Sequence, residues 1–575
     1  MDLSYYLSGM TCSCGRRHTC PIRHVLTGEG AISRLPEIVA DDERILLVAD
    51  ENTYRAAGKE TRAALGGRAV SEVIFPGTPL LIPDEAAAER VTAALGDSTL
   101  LLGVGSGVIQ DLCKYVSHRS GIPYMVVATA PSMDGYASSG AAMILGGMKV
   151  TVAAGLPLAL ILDTAVLAAA PREMILAGYG DIIGKYSALS DWRLSKIVLD
   201  EYFCRTIHDI TLSAVKQTER LAAGIAARDP EAITALAEAL VLVGIMMSFA
   251  GSSRPASGSE HHLSHFFEIT GLLRGEEYLP HGIDVAFSAV EMARLHEAIL
   301  ARPFPRVLYR ESEEEREAAL DRVYGRLAPS CRALQEKVGG YRDRLSVYLE
   351  REGDIRAVLA DMPSSEELLA TLTAAGLDKS EYDTLYGDEK IADAVRYAKD
   401  LKDRYTVLWL AYDLFGGFPA PTPTPRELTD AGICPTCYNR RMGGVLYGDD
   451  RETLIYRDGL IECFFVDKPR APGHVAILSI AHYQDMSEAP DDLNAYMMRA
   501  SAALGRILPR VFGCVRCYLV SMCDGPSNHY HLQLIPRYPH EERGSDNLVK
   551  PRGRYVYDGE KLRAVSELLR RELLG

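Results

Sequence analysis

The chain has 575 residues, 47% hydrophobic and 24% charged. It is too long for one domain at roughly 100–200 residues each and too apolar for large-scale disorder. The net charge of −15 lies wholly in the first 425 residues, with 42 basic against 57 acidic side chains, while from Arg426 onward the two signs balance at 20 each. An acidic body excludes a general binder of nucleic-acid backbone, because nothing would release counterions.

No apolar stretch approaches the ~20 residues of a membrane span. The longest, Val241–Met247 and Leu158–Leu162, are interrupted by small or polar residues. Met1-Asp2-Leu3-Ser4 lacks a basic region followed by an apolar core, so no signal peptide is expected. Twelve cysteines without export imply reduced thiols or metal ligands, and a cytoplasmic protein.

In chain order, the first third alternates apolar runs with amphipathic stretches. Strands are expected at Arg44–Asp50, Thr99–Gly103, Tyr124–Ala128 and Leu158–Leu162. Helical patterns between them mean βαβ units and a parallel sheet. A nucleotide-binding α/β domain is therefore expected over 1–168. From Pro171 to Phe415 long helical periods take over, predicting a helical domain over 169–415. Its charge run Glu311–Glu317 reads as a solvated helix face. Gly416–Pro425 carries four prolines on a two-residue period, which suits a stiff spacer and not a helix. The charge balance changes at the same place, so a linker is expected at 416–430 and a further domain over 431–575. Strands at Leu454–Tyr456, Glu462–Val466, His474–Ile480, Cys517–Ser521 and His531–Ile535, with a helix over Asp491–Val511, make that domain α+β.

Gly103-Val104-Gly105-Ser106-Gly107-Val108-Ile109-Gln110-Asp111 follows a strand and opens a helix. Glycines let a backbone approach a pyrophosphate, and the amides at a helix start receive its charge. Asp50, ending an earlier strand, is placed like an acid that bonds a ribose hydroxyl, or else as a helix N-cap before Asn52. Further on, Gly178–Asp181, Ser257–His265 and Leu279–Gly282 bring a carboxylate and separated imidazoles. Such a set suits a divalent metal with positions left open for substrate. Cys12-x-Cys14-Gly15-Arg16-Arg17-His18-x-Cys20 packs four possible ligands into nine residues, with nothing adjacent to complete a shell.

Five motifs occur in sequence: Gly103–Asp111, Thr129–Gly135, Gly180–Lys185, Ser253–His262 and Pro280–Gly282. Together they resemble the sn-glycerol-1-phosphate dehydrogenase family, within the iron-type alcohol dehydrogenase and dehydroquinate synthase-like superfamily. The resemblance covers about residues 10–415. It implies a Rossmann-like domain on a helical domain, with NAD(H) or NADP(H) and one catalytic divalent metal (zinc, nickel or iron) in the cleft. By motif, it implies Asp181, His262 and His281 as metal ligands. Gly105, Ser106, Gly107 and Asp111 would form the pyrophosphate loop, Thr129 and Ser132 further cofactor contacts, and Asp134 and Lys185 substrate-side catalytic residues. The metal would polarise the C2 carbonyl of dihydroxyacetone phosphate for hydride transfer.

After the linker, Asp524-Gly525-Pro526-Ser527-Asn528-His529-Tyr530-His531-Leu532-Gln533 puts His529, His531 and Gln533 on one strand face and Tyr530 on the other. Cys434-Pro435-Thr436-Cys437 opens the domain, and His474 and His482 lie between. A Cys-x-x-Cys with two distant imidazoles is good zinc chemistry by itself. The set resembles the histidine triad (HIT) superfamily in its glutamine variant, as in galactose-1-phosphate uridylyltransferase. That resemblance implies His531 as nucleophile toward a nucleotide and Gln533 as holder of phosphate oxygens. It also implies Ser527 and Asn528 as phosphate contacts, and Cys434, Cys437, His482 and His529 as a structural zinc set. Just after the motif, Arg543, Lys550, Arg552 and Arg554 either bring charge for a departing phosphate or form a solvated basic loop.

The expectation is a bifunctional enzyme acting on a small phosphorylated substrate and nucleotides, without nucleic acid or a membrane span, and a homo-oligomer. Fusion implies consecutive steps, such as reduction followed by attachment of a nucleotide to the product. The alternative is a dehydrogenase of a related phosphorylated or phosphonate carbonyl carrying a nucleotide-sensing HIT-like module.

Overall fold

The computed structural model describes residues 3–146, 148–447, 453–523, 525, 527–544, 551, 553, 555 and 557–574. Lys550, Arg552 and Arg554 lie outside the described residues. The chain forms two compact units, Met1–Ala301 with Tyr309–Pro419, and Arg302–Leu308 with Ala420–Gly575. Fold class is multidomain: an α/β domain with a helical domain, then an α+β domain.

The first unit holds a six-stranded sheet: β1 (His24–Gly28), β2 (Arg44–Asp50), β3 (Ala69–Phe75), β4 (Leu100–Gly105), β5 (Tyr124–Ala128) and β6 (Ala159–Asp163), in the order β1-β6-β5-β4-β2-β3. All pairings are parallel. Strands β4, β5 and β6 are buried throughout, as a sheet covered on both faces demands. The edge strands β1 and β3 carry half-exposed and polar residues, which is why no apolar run announces them. An antiparallel hairpin, Gly140–Leu145 with Met148–Ala153, follows β5.

Helix α1 (Gly107–Ser120) follows β4. The helical part contains α2 (Arg172–Leu199), α3 (Pro230–Ala250), α4 (Ser259–Arg274) and α5 (His281–Leu300). Helix α3 differs from the expectation drawn from its interrupted apolar run. Its 21 residues, with a window of mean hydropathy 2.1, are long and apolar enough to cross a membrane. Most of that window is buried within the fold, which a core helix also requires. The charge run is divided: Ser312 caps the helix Glu313–Tyr324 with a capping box to Glu315, whereas Glu311 is inward, accepting from Arg396 (2.7 Å).

Glycines set the closeness of α2 and α5. A Cβ on Gly180 would lie 2.4 Å from the Gly282 carbonyl oxygen, and one on Gly282 would lie 2.0 Å from that of Ala177. The two backbones therefore touch, and Asp181 and His281, each beside one of these glycines, are brought together.

The second unit holds a five-stranded antiparallel sheet: β7 (Leu454–Arg457), β8 (Ile461–Phe465), β9 (Val475–Ser479), β10 (Arg516–Val520) and β11 (His531–Arg537), ordered β7-β8-β9-β11-β10. Helix α6 (Pro435–Arg441) precedes it, and α7 (Asp491–Phe512) and α8 (Gly559–Leu574) complete the unit. Leu493, Met497, Ala500, Leu504, Ile507 and Leu508 recur at helical spacing on α7 and share one core with Cys463, Phe465, Val475, Ile477, Leu532 and Leu534. Tyr530 belongs to that core. The 416–430 spacer differs in its second half: Thr424 forms a capping box with Glu427 and starts the helix Pro425–Asp430. Arg302–Leu308, from the middle of the chain, joins this unit, with Arg306 N–H donating to the Arg441 carbonyl (2.6 Å).

Candidate functional sites

At the carboxyl end of β4 the glycine loop is a packing device. A Cβ on Gly105 would lie 2.5 Å from Ile109 Cβ, so α1 crosses the strand end only because that residue is glycine. Ser106 is the N-cap of α1, and Gly107 opens the helix; the first amides of any helix lack intrahelical partners. Thr129 N–H donates to the Gly105 carbonyl (3.2 Å), placing the Thr129–Gly135 segment beside the loop. Gln110 Nε2 donates to the carbonyls of Gly135 (3.0 Å) and Tyr136 (2.7 Å). Ser132 is half-buried in that segment. Asp111 is engaged on α1 by the buried Lys114 (3.4 Å). Asp50 caps its own helix, Oδ1 accepting from Asn52 N (2.8 Å) and Thr53 N (2.9 Å). Of the two readings of Asp50, the N-cap is the one seen.

One ligand atom each from Asp181, His261 and His281 lies within 4.8 Å of the others. This corrects the expected set, which named His262. Successive residues on a helix point ~100° apart, so His261 and His262 of α4 face different surroundings. His261 Nε2 lies 3.6 Å from Asp181 Oδ1, whereas His262 is fully buried with neither ring nitrogen hydrogen-bonded. Burial and the nearby Arg404, Lys402 and Arg254 hold His262 well below the usual imidazole range.

The three donors have supports of their own. His261 Nδ1 is 2.7 Å from Glu260 Oε1, a carboxylate–imidazole pair that fixes the ring and leaves Nε2 toward Asp181. Ser264 Oγ is 3.1 Å from His281 Nδ1. Asp181 Oδ2 accepts Asp134 N–H (3.0 Å), and its Oδ1 accepts from the buried Lys185 ammonium (2.5 Å). Lys185 also pairs with Asp134 Oδ2 (2.8 Å). Burial, then the Asp181 charge, raises the Asp134 carboxyl against the pull of Lys185. Burial alone would raise Asp181 as well, but Lys185, His261 and His281 together hold it low and ionised. A cavity of about 400 Å³ lined by Glu173, Ser264, Glu268, Tyr278 and His281 opens beside the triad. An anionic oxygen with two imidazole nitrogens suits zinc, nickel or iron.

In the second unit, ligand atoms of Cys434, Cys437, His482 and His529 lie within 4.8 Å of one another. His529 Nδ1 is 3.6 Å from Cys434 Sγ and 3.4 Å from Cys437 Sγ, and His482 Nδ1 is 3.5 Å from Cys437 Sγ. The other nitrogen of His529 donates to the Ser479 carbonyl (2.8 Å), so Nδ1 carries the free lone pair. Cys437 and His529, hydrogen-bonded to Cys434, lower its thiol toward the thiolate. Arg440 on α6 ties the cysteine turn to the sheet, donating to Glu462 (2.8 Å), the Ile480 carbonyl (2.9 Å) and the Ser479 carbonyl (3.0 Å).

On the same face of β11, Arg470 N–H donates to His474 Nδ1 (3.1 Å), which leaves the proton of His474 on Nε2 for Gln533 Oε1 (3.1 Å). Gln533 Nε2 then donates to His531 Nε2 (3.0 Å), and His531 Nδ1–H to the His529 carbonyl (2.9 Å). The chain of bonds fixes the His531 ring with its proton on Nδ1 and its single Nε2 lone pair engaged by the Gln533 amide. Asn528 closes its own turn, Nδ2 donating to the Gly525 carbonyl (2.8 Å) and Oδ1 accepting Gly525 N–H (3.1 Å). Ser527 is half-buried beside it.

Residues 26–171 match the iron-containing alcohol dehydrogenase family model, and residues 448–540 match the HIT domain model. A glycerol-1-phosphate dehydrogenase [NAD(P)+] of Halalkalibacterium halodurans is 31% identical over 406 residues, covering 69% of this chain and 94% of that protein. The chain belongs to the glycerol-1-phosphate dehydrogenase family. The enzyme of the same name from Methanosarcina acetivorans is 36% identical over 251 residues, 42% of this chain and 69% of that protein. An iron-containing alcohol dehydrogenase structure from Thermococcus thioreducens covers 72% of this chain and 97% of its own, with 17% identity and a TM-score of 0.46.

The chain is thus a glycerol-1-phosphate dehydrogenase relative fused to a HIT domain. Sequence reasoning quoted Glu260, Ser264 and His474 without giving them a role, and passed over Arg440. The signal for Glu260 was its place directly before the imidazole pair. For Arg440 it was helical spacing, three residues after Cys437. His474 had no local signal, because its partner Gln533 is 59 positions away.

Proposed function

We propose that the first unit reduces the C2 carbonyl of dihydroxyacetone phosphate to sn-glycerol 1-phosphate with NADH or NADPH, on a divalent metal held by Asp181, His261 and His281. The convergence of these three donors beside a cavity carries the reading. A metal so held supplies Lewis acidity at the carbonyl oxygen. The amides at Ser106 and Gly107 receive the cofactor pyrophosphate, with Thr129 and Ser132 as neighbouring contacts. A nicotinamide cofactor bound there would supply the hydride for the substrate carbon, and water or a sugar hydroxyl would supply the proton for its oxygen. Lys185 holds Asp181 ionised and orders Asp134 on the substrate side. Glu260 orients His261, so Glu260→Gln should lower metal affinity by about 10–100-fold, as loss of an outer-shell carboxylate does. Titration of the stripped protein with metal checks it; unchanged affinity would remove Glu260 from that role.

For the HIT domain the reading is transfer of a nucleoside monophosphate through His531. Gln533 would pass its amide N–H from His531 Nε2 to a phosphate oxygen. The freed Nε2 lone pair then attacks phosphorus, the bond to the leaving phosphate breaks, and the nucleotide rests on the imidazole. An acceptor then attacks the same phosphorus and releases His531. The phosphate of sn-glycerol 1-phosphate is an acceptor of suitable chemistry. The ordered bonding of His474, Gln533 and His531 favours catalysis over nucleotide sensing, since a sensor needs no imidazole with an oriented Nε2.

Cys434, Cys437, His482 and His529 hold a structural zinc in this reading, a closed four-ligand set. Cys437→Ser should cost the full-length protein one zinc per chain and destabilise the second unit, seen by metal analysis and thermal melting. A variant with unaltered zinc content would contradict the assignment.

A further inference from the structure

A third cluster lies apart from both sites. Cys12, Cys14, His18 and Cys204 each offer a ligand atom within 4.8 Å of the others. The first three sit on a tight hairpin, Met10–Thr11 paired antiparallel with Arg17–His18. Gly15, at φ +83°, makes the turn, its N–H donating to the Cys12 carbonyl (3.1 Å). Cys204 comes 186 residues after His18, as the N-cap residue of the helix Arg205–Glu219.

We infer that Cys12, Cys14, His18 and Cys204 form a structural zinc site that fastens the N-terminal hairpin to the helical part of the first unit. The spacing fits four ligands of one zinc ion. Tetrahedral zinc with sulfur at about 2.3 Å and nitrogen at about 2.0 Å places S···S pairs at roughly 3.8 Å and S···N pairs at roughly 3.5 Å. Cys12 and Cys204 sulfurs are 3.5 Å apart, and His18 Nε2 is 3.4 Å from Cys14 Sγ and 3.7 Å from Cys204 Sγ.

The surroundings are those of a ligand set. His18 is buried, and its Nδ1 lies 3.0 Å from the Phe249 carbonyl, so the proton sits there and the Nε2 lone pair faces the thiols. Cys12 Sγ accepts from Cys14 N–H (3.5 Å) and lies 3.3 Å from the Thr206 hydroxyl. Tyr202 OH is 3.5 Å from Cys14 Sγ, and Arg16 lies over the Tyr202 ring, 3.6 Å from its centroid. Three thiolates and one imidazole prefer zinc to harder cations, and four protein ligands leave no position for substrate. The site is therefore structural, and its donors differ from the Asp181, His261 and His281 set.

The test counts zinc in full-length protein after dialysis against a weak chelator, comparing wild type with Cys14→Ala, Cys14→His and Cys20→Ser. Cys14→Ala should lose one zinc per chain, while Cys14→His, which keeps a ligand, and Cys20→Ser, outside the set, should retain it. Independently of any variant, alkylation of half-exposed Cys14 in native wild type should accelerate by about tenfold or more once a strong chelator removes the metal. Equal zinc in folded Cys14→Ala and wild type would overturn the site. So would alkylation of Cys14 at one rate with and without chelator, or a Cys12–Cys204 disulfide in freshly isolated protein.

Discussion

His281→Ala is expected to empty the dehydrogenase metal site and lower kcat for carbonyl reduction by about a thousandfold. Lewis-acid stabilisation of a developing alkoxide is worth several kcal/mol, and each ~1.4 kcal/mol is a factor of ten. His281 opens α5 against α2 and borders the cavity, so its loss removes a donor without removing core volume. The comparison of His261→Gln with His262→Gln is sharper still. The first should behave like His281→Ala, because His261 Nε2 faces Asp181. The second should keep its metal and most of its rate, because His262 is buried outside the donor group, with no hydrogen bond to either ring nitrogen among the described residues. Steady-state kinetics with metal analysis on each purified variant read both effects. A metal-free His262→Gln with a loaded His261→Gln would reverse the assignment.

His531→Ala is expected to abolish covalent nucleotide labelling and nucleotidyl transfer outright, since the other imidazole of the bonding chain, His474, has Nδ1 accepting from Arg470 N–H and its Nε2 proton given to Gln533. Gln533 matters for the kind of substrate. A neutral amide donates hydrogen bonds but supplies no acid near neutral pH. The leaving group must then be a phosphate of low pKa, which favours nucleoside di- or triphosphates and nucleotide sugars, with ping-pong kinetics. His474→Ala should reduce the rate less, because it removes only the donor that orients Gln533 Oε1. Quenching with labelled nucleotide and looking for acid-labile label tests this. Label that persists in His531→Ala would end the covalent reading.

Legibility in the sequence followed burial. Strands Arg44–Asp50 and Tyr124–Ala128 run between the very residues their apolar runs suggested, because interior parallel strands are covered on both faces. The edge strands His24–Gly28 and Ala69–Phe75 were not legible, since half of each is open and carries polar residues. In β11 the alternation of His531 and Gln533 with Leu532 and Leu534 assigns both faces correctly. The same pattern logic does not choose between adjacent histidines on a helix: His261 and His262 differ by ~100° of rotation, and only the packing of α4 against α2 and α5 says which one meets Asp181. The Cys-x-x-Cys was legible as half of a four-donor cluster because its own turn brings the two sulfurs together. Cys12 and Cys14 needed Cys204, whose approach depends on the whole helical fold.

The most direct test of the account is the rate of NADH or NADPH oxidation by the full-length protein with dihydroxyacetone phosphate, before chelation, after chelation and after adding back a single divalent metal. The account predicts turnover that chelation abolishes and metal restores, with sn-glycerol 1-phosphate as the product. Turnover at an undiminished rate in demonstrably metal-free protein, or no reduction of dihydroxyacetone phosphate by fully metal-loaded protein with either cofactor, would contradict it.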